Sequence, residues 1–178
     1  SVVADMQAAG IRVVMITGDA PGTARFIADE CGIAGAAAAP PVGSGCGAAG
    51  EGGVVVTGSD IDRMGVEALA RSADGCAVFA RVLPQHKLAI VQALKRGGHV
   101  VSMIGDGVND APALKAAHVG VAMGQRGTEV AREAADLVLL DDDLEALTQA
   151  VRLGRRIRDN MVKAMTFIIA VHVPLCLM

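Results

Sequence analysis

The stretch that decides the fold reads Ile104-Gly-Asp-Gly-Val-Asn-Asp-Ala-Pro-Ala-Leu-Lys115. An apolar run at residues 100–104 leads into it and predicts a buried β-strand. Asp110 and Pro112 follow in the order of a helix start, with Asp110 as the cap and Pro112 in the first turn. The stretch therefore predicts a strand, a tight turn and a helix.

Two carboxylates, those of Asp106 and Asp110, stand at the carboxyl end of this predicted strand. Gly105 and Gly107 let the backbone turn sharply and approach a ligand closely. Ligands bind at this edge of open α/β sheets, and paired carboxylates on a tight turn suit Mg²⁺ beside a phosphate. A plain capped corner is the alternative, but it gives no role to Asp106 and Asn109. We therefore expect Asp106 and Asp110 to hold the metal.

Strand and helix patterns alternate along the chain up to residue 143. This alternation predicts an α/β fold, a Rossmann-like parallel sheet with helices on both faces. Residues 32–53, which are rich in Gly, Ala, Pro and Ser, predict a surface loop. The predicted strands are residues 11–16, 54–57, 76–80, 100–104, 118–123 and 136–140. The predicted helices end at Gly10, follow Asp19, run from Asp60 to near Ser72, run from Pro84 to about Arg96, and begin after Thr128.

A second strand end carries Thr17, Gly18 and Asp19, with Asp19 as the expected cap of the next helix. A hydroxyl and a backbone N–H at such a place form an anion site, although an ordinary capped turn explains the residues equally well. Lys87 lies in the first turn of a helix, where the dipole disfavours a cation. We interpret it as a phosphate contact rather than a solvated charge. His86 is expected to be exposed.

Asp60 and Asp62 resemble a catalytic Asp-x-Asp pair. Gly58 and Ser59 separate Asp60 from the predicted strand at 54–57, so neither carboxylate sits at a strand tip. We interpret Asp60 as a helix cap and Asp62 as a first-turn acid that favours the helix dipole.

The last segment differs from the rest, because one helical pattern runs from residue 144 to Pro174 without a breaker. Its first half is basic and its second half is apolar, an order typical of a helix that enters a membrane from the cytoplasmic side. A buried core helix is the alternative. We expect a domain at 1–143, a basic stalk helix at 144–163 and the start of a truncated transmembrane helix at 164–178. The basic residues are Arg152, Arg155, Arg156, Arg158 and Lys163.

Composition excludes several classes of protein. The net charge is −3, and Trp and Tyr are absent, which argues against a nucleic-acid surface. The four cysteines show no metal-binding spacing, so reduced thiols in a cytosolic domain are expected.

Taken together, three motifs resemble the phosphorylation domain of P-type ATPases, within the haloacid-dehalogenase superfamily. They are Thr17-Gly-Asp19, Arg81-Val-Leu-Pro-Gln-His-Lys87 and the stretch from Gly105 to Leu114. The segment from Val121 to Asp142 is also similar to these pumps. The Val171-His-Val-Pro174 ending is similar to the bacterial calcium-type pumps.

The resemblance implies an enzyme, an ATP-driven cation pump that forms an aspartyl phosphate, with Mg²⁺ and ATP as cofactors. It implies catalytic roles for Thr17, Lys87 and Asp106, and Mg²⁺ ligation by Asp106 and Asp110. The expected partners are the transported cation, calcium in the pumps that it resembles most, membrane lipid and the rest of the pump. The implied location is the cell membrane, with residues 1–160 on the cytoplasmic side. The phosphate-binding residues would be Thr17, Gly18, Asp19, Lys87 and Asn109.

Two departures from the family pattern matter. The family's phosphorylated aspartate lies in an Asp-Lys-Thr-Gly-Thr motif, and this sequence contains no Asp-Lys pair. Family order places that motif before residue 1, so we expect a fragment that is inactive alone. Ile104 also replaces a threonine that is common in calcium-type pumps. Two alternatives stay open: a stand-alone Mg²⁺-dependent phosphatase with Asp60 or Asp62 as nucleophile, and an inactive module that binds Mg²⁺ or phosphate.

Overall fold

The computed structural model describes residues 1–33 and 55–176. Almost all of the predicted surface loop at 32–53 therefore lies outside the described residues, as do residues 177–178. The chain divides into two compact units, Ser1–Asp142 and Asp143–Met178.

The first unit alternates strands and helices, as the sequence pattern predicts. A 3₁₀ turn, Val108–Asp110, connects the fourth strand to the sixth helix. The strands are β1 (Met15–Ile16), β2 (Val55–Thr57), β3 (Val78–Ala80), β4 (Ser102–Gly105), β5 (Val119–Met123) and β6 (Leu137–Leu139). The helices are α1 (Val2–Ala8), α2 (Pro21–Cys31), α3 (Gly58–Arg63), α4 (Val66–Gly75), α5 (Pro84–Arg96), α6 (Ala111–Ala116) and α7 (Glu129–Ala134).

The strands form two parallel three-stranded sheets, ordered β1-β3-β2 and β4-β5-β6. In the first sheet Ile16 lies opposite Phe79, and in the second Ile104 lies opposite Val121. Parallel pairing brings the carboxyl ends of the strands in each sheet to one edge. The parallel α/β fold is therefore confirmed, with its strands in two sheets within the described residues.

One hydrophobic cluster contains residues from both sheets. Val56 and Phe79 from the first sheet share it with Met103 and Ala122 from the second. The helices α4, α5 and α6 contribute Leu69, Ile90, Val91 and Leu114, among others, to the same cluster. Burial of this apolar surface stabilises the unit and fixes α5 and α6 beside the strand ends.

Two predicted elements differ from the observed ones. The helix predicted from Asp60 to near Ser72 is two helices, because Met64 and Gly65 adopt extended backbone angles and separate α3 from α4. The strand predicted at 11–16 is paired only over Met15–Ile16, where the chain meets Val78 and Phe79 of β3.

The second unit consists of α8, Leu144–Cys176. The long C-terminal helix is therefore confirmed. Within the described residues, no helix is long and apolar enough to cross a membrane.

Gly120 tests how tightly α6 packs on β5. A Cβ at this position would lie 2.8 Å from the carbonyl oxygen of Leu114, and backbone cannot easily move away. We expect Gly120→Ala to lower the free energy of unfolding by roughly 1–3 kcal/mol in urea denaturation. Gly22→Ala is the matched control, since nothing lies within 4 Å of its Cβ position. Equal urea midpoints for Gly120→Ala and Gly22→Ala would contradict close packing of α6 on β5.

Candidate phosphate and magnesium site

Thr17 follows the end of β1 and forms a closed turn with Asp19. The Thr17 hydroxyl donates to Asp19 Oδ2 at 2.9 Å, and the Asp19 N–H donates back to Thr17 Oγ1 at 3.2 Å. Gly18, between them, is exposed. The turn therefore presents a hydroxyl and an exposed backbone segment at a strand end, as expected for an anion site.

Asp19 does not cap α2, so that prediction was wrong. The N-cap of α2 is Ala20, and no side chain caps the helix. Pro21 at the first helical position removes one N–H that would need a partner. The Asp19 carboxylate instead accepts the Thr17 hydroxyl.

Backbone hydrogen bonds tie this turn to the segment that begins α5. The Thr17 N–H donates to the Phe79 carbonyl at 2.9 Å, and the Val82 N–H donates to the Thr17 carbonyl at 3.1 Å. The Arg81 N–H donates to the Asp19 carbonyl at 3.0 Å. Arg81 adopts a left-handed conformation, with φ of 53°, which turns the chain from β3 towards α5. The predicted anion turn thus adjoins the helix that carries Lys87.

Lys87 forms an ion pair with Asp110. Its ammonium nitrogen lies 2.5 Å from Asp110 Oδ1, and the two side chains are 21% and 7% exposed. The contact joins the first turn of α5 to the 3₁₀ turn after β4. Lys87 is therefore not a freely solvated charge, and two of the predicted site residues are in direct contact.

Asp110 folds back over the end of β4. A Cβ at Gly105 would lie 2.7 Å from Asp110 Cβ, so only glycine leaves room for this arrangement. The Gly107 N–H donates to Asp110 Oδ2 at 3.4 Å. Asp110 occupies the N-cap position of α6, but its side chain makes no capping hydrogen bond. Asp110 therefore holds the predicted N-cap position, but the predicted side-chain cap is absent and the carboxylate pairs with Lys87 instead.

Asp106 is exposed in the same turn. Among residues 1–33 and 55–176, no side chain bonds to its carboxylate. Its position is fixed through the backbone instead, because the Thr128 N–H donates to the Asp106 carbonyl at 2.8 Å. Asn109 is exposed beside it. The Asp106 carboxylate is thus available to a ligand.

The Gly124–Gly127 loop, which lies next to Asp106 through Thr128, is held by Asp142. The carboxylate of Asp142 accepts backbone N–H groups from Gln125 at 3.0 Å and from Arg126 at 2.9 Å. Burial acts to raise the pKa of Asp142, but these hydrogen bonds outweigh it and keep that pKa below its ordinary value. The acidic run at 141–143 thus contains an anchor for this loop that the sequence pattern did not reveal.

The carboxylates of Asp60 and Asp62 have structural partners. Thr57 is the N-cap of α3, so the prediction of Asp60 as the cap was wrong, and Asp60 completes a capping box from inside the first turn. Hydrogen bonds from the Thr57 hydroxyl and N–H lower the pKa of Asp60. Asp62 bonds instead to His86, which is 4% exposed. The prediction of an exposed His86 was also wrong.

The available donors suit magnesium. Mg²⁺ binds through one or two carboxylates and keeps water or phosphate oxygens as its other ligands. Asp106 offers one partner-free carboxylate in a glycine-rich turn. In the described parts of the chain, no three His, Cys, Asp or Glu side chains are grouped to hold a metal. This donor set fits Mg²⁺ better than zinc, which takes four ligands from nitrogen and sulfur.

Comparison with known proteins places these motifs in a family. The family described as haloacid dehalogenase-like hydrolase matches residues 1–118, and a second family with the same description matches residues 87–151.

The chain is also similar to much longer proteins. It is 48% identical over 167 residues to a Mycobacterium tuberculosis protein named "Probable cation-transporting ATPase F". It is 45% identical over 168 residues to "Calcium-transporting ATPase 1" of Bacillus cereus. Each match covers 94% of this chain and 17% of the relative. A crystal structure of a zinc-transporting PIB-type ATPase in the E2.Pi state matches with a TM-score of 0.63 and 30% identity, over 91% of this chain and 19% of that one.

The ion pair of Lys87 and Asp110 can be tested by a double-mutant cycle. We expect Lys87→Met and Asp110→Asn each to lower the free energy of unfolding by roughly 2–3 kcal/mol, because each leaves a mostly buried charge unpaired. The double variant should lose less than the sum, by about 1–2 kcal/mol in urea denaturation. Lys115→Met, at an exposed lysine of α6, is the control. Strict additivity of the two losses would mean that the contact between Lys87 and Asp110 contributes nothing to the free energy of unfolding.

The pH dependence of stability can test the structural role of Asp60. Because its pKa is lowered in the folded chain, its charged form stabilises the fold above the ordinary carboxyl pKa of 3.8, and this contribution is lost as the pH falls through the lower folded value. We expect Asp60→Asn to be less stable than the parent chain near neutral pH and to approach it in acid. Chemical denaturation at several pH values measures this. The convergence should vanish in a Thr57→Val background, and its persistence there would refute the assignment.

Proposed function

Since this chain belongs to the haloacid dehalogenase-like hydrolase family, we propose that it is part of a cation-transporting ATPase that forms an aspartyl phosphate. The observation that carries the proposal is the contact between Lys87 and Asp110 beside the partner-free carboxylate of Asp106. The names of the relatives support it, because cation-transporting and calcium-transporting ATPases match nearly the whole chain. The chain spans 17% of those relatives, so it supplies one part of the machinery.

In this proposal Thr17, Gly18 and Asp19 form the cradle for the phosphoryl group. The Thr17 hydroxyl can turn from Asp19 to a phosphoryl oxygen, and the Gly18 N–H can donate to another. Such preorganised donors stabilise the charge that develops on the transferred group. Thr17 is assigned as catalytic because its hydroxyl would touch that group.

Lys87 supplies positive charge to the same group. Phosphoryl transfer spreads negative charge over the equatorial oxygens, and a fixed cation stabilises that charge. Asp110 holds the ammonium in place through the 2.5 Å contact. Asn109, exposed in the neighbouring turn, would donate to a phosphate oxygen.

Asp106 would hold Mg²⁺, with Asp110 as its second carboxylate. When bound, the ion would neutralise phosphate charge and orient the phosphoryl group. ATP, the second cofactor of the proposal, would be bound mainly by parts of the pump outside this chain.

The phosphorylated aspartate is assigned to a segment upstream of residue 1. The sequence has no Asp-Lys pair, and Asp60 and Asp62 are engaged with Thr57 and His86. In the described residues β1 pairs only with β3, and β4 only with β5. Both contact the same hydrophobic cluster, through Ile16 and Met103. An upstream strand between β1 and β4 would complete the backbone pairing of both and place its own end between Thr17 and Asp106.

The remaining assignments concern the whole pump. We propose that residues 144–163 form a basic stalk and that residues 164–178 begin a membrane segment, which contacts lipid. The first unit would then lie on the cytoplasmic side, because basic residues before an apolar run remain there. The transported cation is Ca²⁺ in this proposal, following the names of several relatives.

Phosphoenzyme trapping tests the proposed function. We expect the chain, extended upstream through its aspartate motif and nucleotide-binding region, to acquire a hydroxylamine-labile label from γ-labelled ATP in the presence of Mg²⁺. Asp106→Asn and Lys87→Met should reduce the label at least roughly tenfold, since each removes transition-state charge stabilisation. Lys115→Met should leave it unchanged. An extended chain that folds and binds ATP but takes up no label would refute the proposal.

A further inference from the structure

His86 is a buried residue in the first turn of α5, and both of its ring nitrogens have partners. Nδ1 accepts the backbone N–H of Leu83 at 3.2 Å. Nε2 lies 2.8 Å from Asp62 Oδ1. Because Nδ1 is an acceptor, the neutral ring carries its hydrogen on Nε2 and donates it to Asp62. The structure therefore selects one tautomer of His86.

This arrangement leaves His86 unsuited to acid–base chemistry. A general base needs a free nitrogen within reach of the proton that it removes. Here one nitrogen is used by the backbone, the other by Asp62, and the ring is 4% exposed. Asp62 has an exposed side chain but directs an oxygen at the ring. Asp62 and His86 therefore have a structural role rather than a role in proton transfer.

The element that they hold is the start of α5. The first N–H groups of a helix have no partners within it, and Leu83 at the N-cap has no side-chain acceptor. His86 Nδ1 provides that acceptor. The ring also packs against the start of α3, where a Cβ at Gly58 would lie 2.8 Å from Nδ1. His86 therefore connects α3 to the first turn of α5.

Lys87 is the next residue of that turn. The rotation of this turn about the helix axis sets the direction in which the Lys87 side chain leaves α5, because adjacent helical side chains differ by a fixed angle. A lysine side chain is long and flexible, so the contact of its ammonium with Asp110 does little to fix the orientation of the helical turn. His86 fixes that orientation at the turn itself, through its hydrogen bonds with Leu83 and Asp62.

We propose that Asp62 and His86 are positioning residues for Lys87. The hydrogen bond from His86 to Asp62 anchors the first turn of α5 to α3, and this anchor aims the ammonium at the site beside Asp106. The chemical consequence rests on the proposed phosphoryl transfer, whereas the positioning itself does not.

The first test uses NMR on the chain as it stands, with ¹⁵N-labelled histidine and lysine. We expect His86 to be the Nε2–H tautomer and the Lys87 ammonium to give a slowly exchanging signal. Asp62→Ala should shift both signals, whereas Asp62→Asn should shift them little, since its amide oxygen still accepts a hydrogen bond. Asp60→Ala is the matched control: it removes a carboxylate from α3 that bonds to Thr57 and not to His86. An unchanged Lys87 signal in Asp62→Ala would overturn the proposal.

The second test measures phosphoenzyme formation in the extended pump, counted per folded molecule. We expect Asp62→Ala to lower the rate roughly 10–100-fold, with the KM for ATP within about twofold, because a small misplacement of a catalytic group slows chemistry more than binding. Asp62→Asn should retain most of the rate. Asp60→Ala should lower stability but keep its rate per folded molecule.

The two tests separate the proposals. An equal loss of rate per folded molecule in Asp60→Ala and Asp62→Ala would mean that any change in α3 slows the reaction, and would overturn the specific positioning role of Asp62. If the unsubstituted pump takes up no label, the proposed function fails, and the NMR comparison still decides whether Asp62 positions Lys87.

Discussion

The ion pair between Lys87 and Asp110 is the interaction on which the site depends. Asp110 belongs to the turn after β4, and Lys87 belongs to the helix after β3, so the pair joins a turn of the second sheet to a helix of the first. A nearly buried carboxylate needs a partner, and the lysine satisfies it. Gly105 makes the contact possible because its missing Cβ leaves space for Asp110. The pair leaves Asp106, four residues earlier, free at the surface.

Around this pair the remaining contacts are mostly backbone hydrogen bonds between loops. The turn at Thr17 is attached to β3 and the segment after it, and the turn at Asp106 is attached to the start of α7 through Thr128. Each loop therefore positions its neighbour, and the side chains that could meet a ligand stay exposed. Such a division suits a site in which rigid strands provide the position and short loops provide the chemistry.

Local patterns predicted the parts of the site that lie at strand ends. The alternation of strands and helices placed Thr17, Asp106 and Asp110 at carboxyl edges, because those positions follow from periodicity and turn residues. Roles that depend on distant partners could not be predicted in this way. His86 was predicted to be exposed because its partner Asp62 lies 24 residues earlier, beyond the reach of a local pattern. Asp19 and Asp110 looked like caps, since the cap pattern does not reveal that Thr17 or Lys87 competes for the same oxygens.

The described residues contain four edge strands, and two of them, β1 and β4, have a consequence for how this chain behaves in isolation. In the described residues each leaves one row of backbone N–H and C=O groups without a strand beside it. Such edges are templates for intermolecular pairing. A copy of this chain released on its own would expose these edges, and backbone pairing between copies would promote aggregation.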